Sequence, residues 1–112
     1  MTRLALIVLA LAASTTAARA YDYGRSERID AREAAQARRI EHNRRTGELT
    51  WYEAAKLRAE QRRIHAMEAW AKRDGHISGA EARRIEAAQD AAGRHIYRES
   101  HDGQTAWSRR RW

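Results

Sequence analysis

The chain contains no cysteine and no proline. Without a thiol there is no disulfide framework, no thiolate nucleophile and no acylation site behind an apolar N-terminal run, so an exported form is expected to be soluble and without a lipid anchor. Without proline, nothing forces a helix to stop or kink. Large aliphatic side chains are scarce too. Beyond residue 20 they are Ile29, Ile40, Leu49, Leu57, Ile64, Met67, Ile77, Ile85 and Ile96, nine in 92 residues. Domains this small are marginal even when well filled, so the expectation is an elongated, weakly stable or oligomeric fold. The chain also lacks a phosphate-cradling glycine loop. Its serines beyond the leader, Ser26, Ser78, Ser100 and Ser108, fall at helix caps, a helix end or the tail, and none has the strand-turn setting of an activated nucleophile. So few aliphatics on narrow stripes leave little with which to build a pocket. The expectation is a non-enzymatic protein with no cofactor.

What is present begins with Arg3, an apolar run from Leu4 to Ala13, and the small-residue sequence Ala18-Arg19-Ala20. This three-part pattern predicts a secretory signal peptide over residues 1–20, with Tyr21 as the first residue after cleavage. The apolar run is about half the ~20 residues that a membrane-spanning helix needs. A periplasmic or secreted protein is expected. Its formal charge falls from +7 to +5 when Arg3 and Arg19 leave. The basic residues are nearly all arginine, Lys56 and Lys72 excepted, and acids are interspersed among them. This is the surface of a solvated helical protein, and it also suits anionic partners.

Gly47, Gly75 and Gly103 recur at a spacing of 28 residues. The first two open matching phrases, "GELTWYEAAKLRAEQ" and "GHISGAEARRIEAAQ", aligning Thr50 with Ser78, Glu53 with Glu81, Leu57 with Ile85 and Gln61 with Gln89. A Thr or Ser followed three residues later by Glu is a capping box, and Leu49 and Ile77 just before it supply one side of a hydrophobic staple. Gly47 and Gly75 follow the basic pairs Arg44-Arg45 and Lys72-Arg73, as a left-handed glycine does at the end of a helix whose last turn carries cations. Asp102-Gly103 reads as a third cap. The phrase is therefore expected to stop one helix and start the next. Helices are predicted over about 26–45, 51–73 and 80–101, within a domain of residues 21–103. Four- or five-residue connections make them antiparallel neighbours, an all-α, up-down-up arrangement.

At 100° per residue the apolar stripes are Ile29, Ala37 and Ile40 flanked by Gln36; Leu57, Ile64 and Ala71 edged by Met67 and Gln61; and Ile85, Ala88, Ala92 and Ile96 flanked by Gln89. They are narrow, as in a coiled-coil seam. The middle helix has a second apolar side, Tyr52, Ala55, Ala59, Ala66 and Trp70. Either this helix touches both neighbours with its two sides, or the second side receives another chain, a protein partner or a second copy, since small residues permit close helix approach.

Two metal chemistries are testable by spacing. With Gly75 at the sixth position of a calcium loop and Glu81 at the twelfth, the required oxygen ligands fall on Trp70, Lys72 and Asp74; the earlier copy offers His42, Arg44 and Thr46. Indole and cationic side chains do not ligate calcium. The histidines, His42, His65, His76, His95 and His101, form neither an i, i+4 pair nor a Glu-x-x-His motif. Pairing of His95 with Glu99 and of His65 with Glu68 is the expectation and the spacing predicts no metal site, with a zinc or copper site assembled across helices from imidazole and carboxylate as the alternative.

The tail, residues 104–112, surrounds Arg109, Arg110 and Arg111 with Trp107 and Trp112. Interfacial aromatics with arginines favour anionic envelope surfaces such as lipid headgroups or lipopolysaccharide, although three arginines are fewer than the four to eight of a lipid-binding cluster. No nucleic-acid partner is expected.

Three segments, Thr46 to Ile64, Asp74 to Ile85 and Ile96 to Asp102, resemble a group of small, mostly uncharacterised exported helical proteins of Proteobacteria. The motifs of that group read "SGELTxxEAxxLxxEQxxIxxxE", "DGxLTxxExxRL" and "IYxxKHD". The chain departs from them at Trp51-Tyr52, Gly79 and Glu99-Ser100. The resemblance implies an exported helical protein and no particular activity. "LTWYE" and "ISGAE" are also similar to the LTxxQ motif of periplasmic chaperones of the Spy and CpxP type, with Glu for Gln in the same capping role. Binding of other proteins in the envelope, chaperone-like or stress-related, is the expected function, and binding of anionic surfaces the alternative.

Overall fold

A computed structural model describes residues 2–102, with side chains described from Tyr23 to Asp102. Three helices, α1 (Thr2–Arg45), α2 (Trp51–Ala71) and α3 (Gly79–Ser100), run up, down and up, and each packs on both of the others. The molecule is all-α and elongated, with no strand among the described residues. The leader expected over residues 1–20 and the tail from Gly103 onward lie outside the described side chains, the tail entirely. No helix among the described residues is long and apolar enough to cross a membrane.

The helix bounds differ from expectation in four places, the start of α3 at Gly79 in place of 80 among them. The first helix begins at Thr2 and not near residue 26, because the Ala-rich stretch before Ser26 holds no proline and the lone Gly24 does not stop it. The second ends at Ala71, two residues early, so the second connection is seven residues, 72–78. The third ends at Ser100, with His101 as its cap.

Both helix starts carry reciprocal caps. The Glu53 amide donates to Thr50 Oγ1 at 3.1 Å, and the Thr50 amide donates to Glu53 Oε1 at 2.9 Å. In the second copy the Glu81 amide donates to Ser78 Oγ at 3.1 Å and the Ser78 amide to Glu81 Oε1 at 3.3 Å. Leu49 and Ile77, the residues before each cap, are both 1% exposed and close opposite ends of the core. Gly47 and Gly75 hold φ of +84° and +92°. Gly47 follows the α1 cap directly, and its amide donates to Arg44 O at 3.2 Å; Gly75 sits further along the longer turn, donating to Lys72 O at 2.9 Å. Ser78→Ala is expected to cost about 1 kcal/mol, the typical loss for an N-cap side chain. Urea unfolding followed by circular dichroism measures it, and an unchanged midpoint would mean that the cap does not hold this junction.

The core follows a 3-4 spacing through each helix: Ile29, Gln36, Ile40 and Asn43 in α1; Ala54, Leu57, Ile64, Glu68 and Ala71 in α2; Ala82, Ile85, Gln89, Ala92 and Ile96 in α3. Of the nine large aliphatics, all but Met67 are buried. The stripe expected for α1 needs one correction. Ala37 is exposed and Gln36 is buried, because the seam runs through the polar residue one position earlier. Gln89, expected as a flank, is 0% exposed and central.

Glutamines divide this core in two. One apolar cluster holds Ile29, Ile64, Ala71, Ile77, Ala82, Ile85 and Ala92; the other holds Ile40, Leu49, Ala54, Leu57 and Ile96. Between them the Gln61 amide donates to Gln36 Oε1 at 2.8 Å, Gln36 donates to Gln89 O at 2.8 Å, and Gln89 donates to Ile29 O at 2.9 Å. One chain of side-chain amides thus ties all three helices at mid-height.

Candidate functional site

The expectation that α2 would use two sides to reach two neighbours is not met. Three helices in a triangle let one seam serve both contacts, so the second side of α2 is left facing out. Tyr52 is 72% exposed and Trp70 68% exposed, with Ala55 and Ala66 exposed and Ala59 half-buried between them. Tyr52 and Trp70 lie five turns apart, about 27 Å along the axis at 1.5 Å per residue. Trp51, at 64% exposure, adds a third aromatic at the start of the helix. Its position, outside both apolar stripes, gave no periodic signal.

This face is apolar in its ring surfaces and cationic around them. The Arg73 guanidinium lies over the Trp70 ring at 4.2 Å, Arg44 over Trp51 at 4.2 Å, and Lys56 Nζ stands 5.8 Å from the Tyr52 ring centre. Arg62 and Arg63 are exposed midway along the helix. Arg44 also grips Glu41, its Nη2 donating to Oε1 at 2.6 Å, and Arg58 of α2 contacts the same carboxylate. The Arg44 guanidinium, helped by Arg58, holds the Glu41 carboxyl down at about 2. Because the folded value is depressed, this link between α1 and α2 is full above the ordinary carboxylate range and is lost only as pH falls toward 2. Lys56 donates to Glu99 Oε1 at 2.9 Å, and that carboxylate keeps the ammonium charged beyond its usual range.

Two of the histidines pair with acids of other helices, in place of the same-helix partners expected. His95 Nδ1 lies 2.7 Å from Glu60 Oε2, and His65 Nδ1 lies 2.9 Å from Glu33 Oε1. Neither pairing is visible in local spacing, since the partners stand 35 and 32 residues away. His101 stacks on Tyr97 with ring centres 4.0 Å apart. On the opposite side of the molecule, α1 and α3 leave a shallow groove of about 830 Å³ bordered by Arg32, Arg39, Arg94 and Arg98. The groove is open, and Asp90, Tyr97 and His101 also line it.

Gly103, Trp107, Arg109, Arg110, Arg111 and Trp112 lie outside the described residues. The other cap residues sit at the two helix junctions, away from the centre of the exposed α2 face. No protein family, curated protein or solved structure was found to match the chain.

Proposed function

We propose that this chain is an exported, non-enzymatic protein of the cell envelope that binds other proteins through the outer face of α2. The observation that carries the reading is the pair Tyr52 and Trp70, each more than two-thirds exposed on one helix and bracketing an Ala-lined strip. Large aromatics held out in water over a strip of small side chains fit a partner helix laid along the groove between them. The cations fix the partner's chemistry. Arg62, Arg63 and Arg73 border the strip, so the best complement is an amphipathic helix whose polar edges carry Asp or Glu. A second copy of this chain is a poorer complement, because antiparallel pairing of two α2 helices brings the Arg62-Arg63 pairs together at the centre.

The test uses the joint substitution Tyr52→Ala with Trp70→Ala, which removes side chains that contribute nothing to either apolar cluster and so leaves the fold intact by circular dichroism. Light scattering follows aggregation of a thermally unfolding client protein in the presence of the wild-type or substituted chain. The wild type is expected to slow aggregation and the double variant to lose most of that effect. Equal protection by both chains, or none by the wild type, would remove the reading. A parallel mass measurement by sedimentation is expected to give a monomer, and a mass that doubles with concentration would place a second copy on the face instead.

A further inference from the structure

Away from the partner-binding face, α1 and α2 bring acids and a histidine together across their antiparallel seam. Asp30 and Glu33 stand one turn apart on α1; His65 and Glu68 stand one turn apart on α2. Ligand atoms of Glu33, His65 and Glu68 all lie within 4.8 Å of one another. Glu33 partners His65 at 2.9 Å, while the Asp30 carboxyl hydrogen-bonds with Glu68, which pushes Asp30 up from its ordinary value.

Glu68 is the unusual member. It is 3% exposed in a core seam position that an aliphatic residue would ordinarily fill. Its Oε1 accepts from Lys72 Nζ at 2.6 Å, but its buried Oε2 takes no hydrogen bond from an amide, a hydroxyl or a cation, and only the Asp30 carboxyl bonds with this side chain besides Lys72 among the described contacts. A buried carboxylate oxygen without a donor is costly unless something else neutralises it. Lys72 also stands 3.7 Å from Asp30 Oδ1. Three carboxyl groups thus crowd one ammonium.

We propose that this seam is a binding site for one divalent transition-metal ion, held by Glu33, His65 and Glu68, for which zinc is the simplest occupant. The donor set of one imidazole nitrogen and two carboxylate oxygens suits zinc, and three protein ligands leave a fourth position for water. Side-chain exposures of 69% for His65, 22% for Glu33 and 4% for Glu68 describe a site open at one side and closed at the other. A tetrahedral ion with bonds near 2.0 to 2.1 Å needs its ligand atoms about 3.3 Å apart. The His65–Glu33 pair therefore opens by a few tenths of an ångström to admit it, and His65, being exposed, is free to do so. Asp30 and Lys72 then act as outer partners, one adding negative charge and one competing for Glu68. A divalent ion offsets the negative charge that these carboxyl groups bring together.

Isothermal titration of zinc chloride into the full chain tests this, with magnesium chloride in excess to exclude diffuse attraction to acids. One zinc per chain is expected. His65→Ala and Glu33→Gln, both at side chains outside the apolar core, should each weaken binding about tenfold or more, the scale on which site partners act. His95→Ala, at the other histidine-carboxylate pair, should leave binding unchanged. Lys72→Met removes the competing cation and should tighten zinc several-fold, an effect that a merely structural Lys72–Glu68 pair would not produce. No zinc heat above dilution, or equal binding by His65→Ala and wild type, would overturn the proposal. Neither outcome bears on the α2 face, which shares no residue with this site.

Discussion

Ile96→Ala is expected to cost about 2 to 5 kcal/mol, the range for truncating a buried aliphatic residue. That cost follows from how the core is divided. Ile96 is 0% exposed and belongs to the smaller cluster, whose other large members are Ile40, Leu49 and Leu57. The glutamine layer closes that cluster on one side and the α1–α2 connection closes it on the other. Neighbouring side chains therefore have little freedom to collapse into the space left behind. Domains of this size have total stabilities near the low end of about 5 to 15 kcal/mol. A loss of this order takes most of what the bundle has. Urea unfolding monitored at 222 nm should show a midpoint shifted far toward zero denaturant, or no cooperative transition at 37 °C. Met67→Ala provides the comparison, since that side chain is 37% exposed and outside both clusters. Equal losses for the two substitutions would mean that the core is not organised as two packed clusters.

The same division explains which parts of the fold were legible beforehand. Cap geometry is local: a Thr or Ser, a Glu three residues on and a glycine before them act within one turn, and Thr50, Glu53, Ser78 and Glu81 make the bonds that their spacing implies. The 28-residue repeat carried further. Leu49 and Ile77, Ala54 and Ala82, and Leu57 and Ile85 occupy equivalent buried positions in the two copies. Hydrophobic periodicity failed where the seam is polar. Gln36, Glu68 and Gln89 sit inside, and a reading that ranks positions by apolarity puts such residues at the edge. It failed again for the histidines, because His65 and His95 find partners on other helices, and only tertiary register brings Glu33 and Glu60 to them. On α2 the sequence marked Tyr52 and Trp70 as lying on a second apolar side but did not give its direction. Whether a second apolar side points to a neighbour or to water depends on how many helices surround it.

Gln36→Leu is expected to destabilise the fold by about 1 to 3 kcal/mol even though it places an aliphatic side chain in a buried seam. Gln36 is both acceptor and donor, taking the Gln61 amide and giving its own to Gln89 O. Its loss strands the Gln61 amide beside the core, and a buried donor without a partner costs its full desolvation. The opposite result is expected when Gln36, Gln61 and Gln89 are all replaced by Leu. That variant leaves no stranded group, removes the Gln61 and Gln89 Oε1 atoms that are already buried without donors, and joins the two apolar clusters into one. It should therefore be at least as stable as the wild type in urea. What it should lose is uniqueness, because an all-apolar seam accepts slipped registers and extra helices where a polar layer accepts one alignment. Sedimentation should then show a mixture of masses for the triple variant, against one species for the wild type and for Gln36→Leu below its unfolding midpoint. A triple variant that is both less stable and uniformly monomeric would mean that the glutamine layer stabilises the bundle directly and does not select its register.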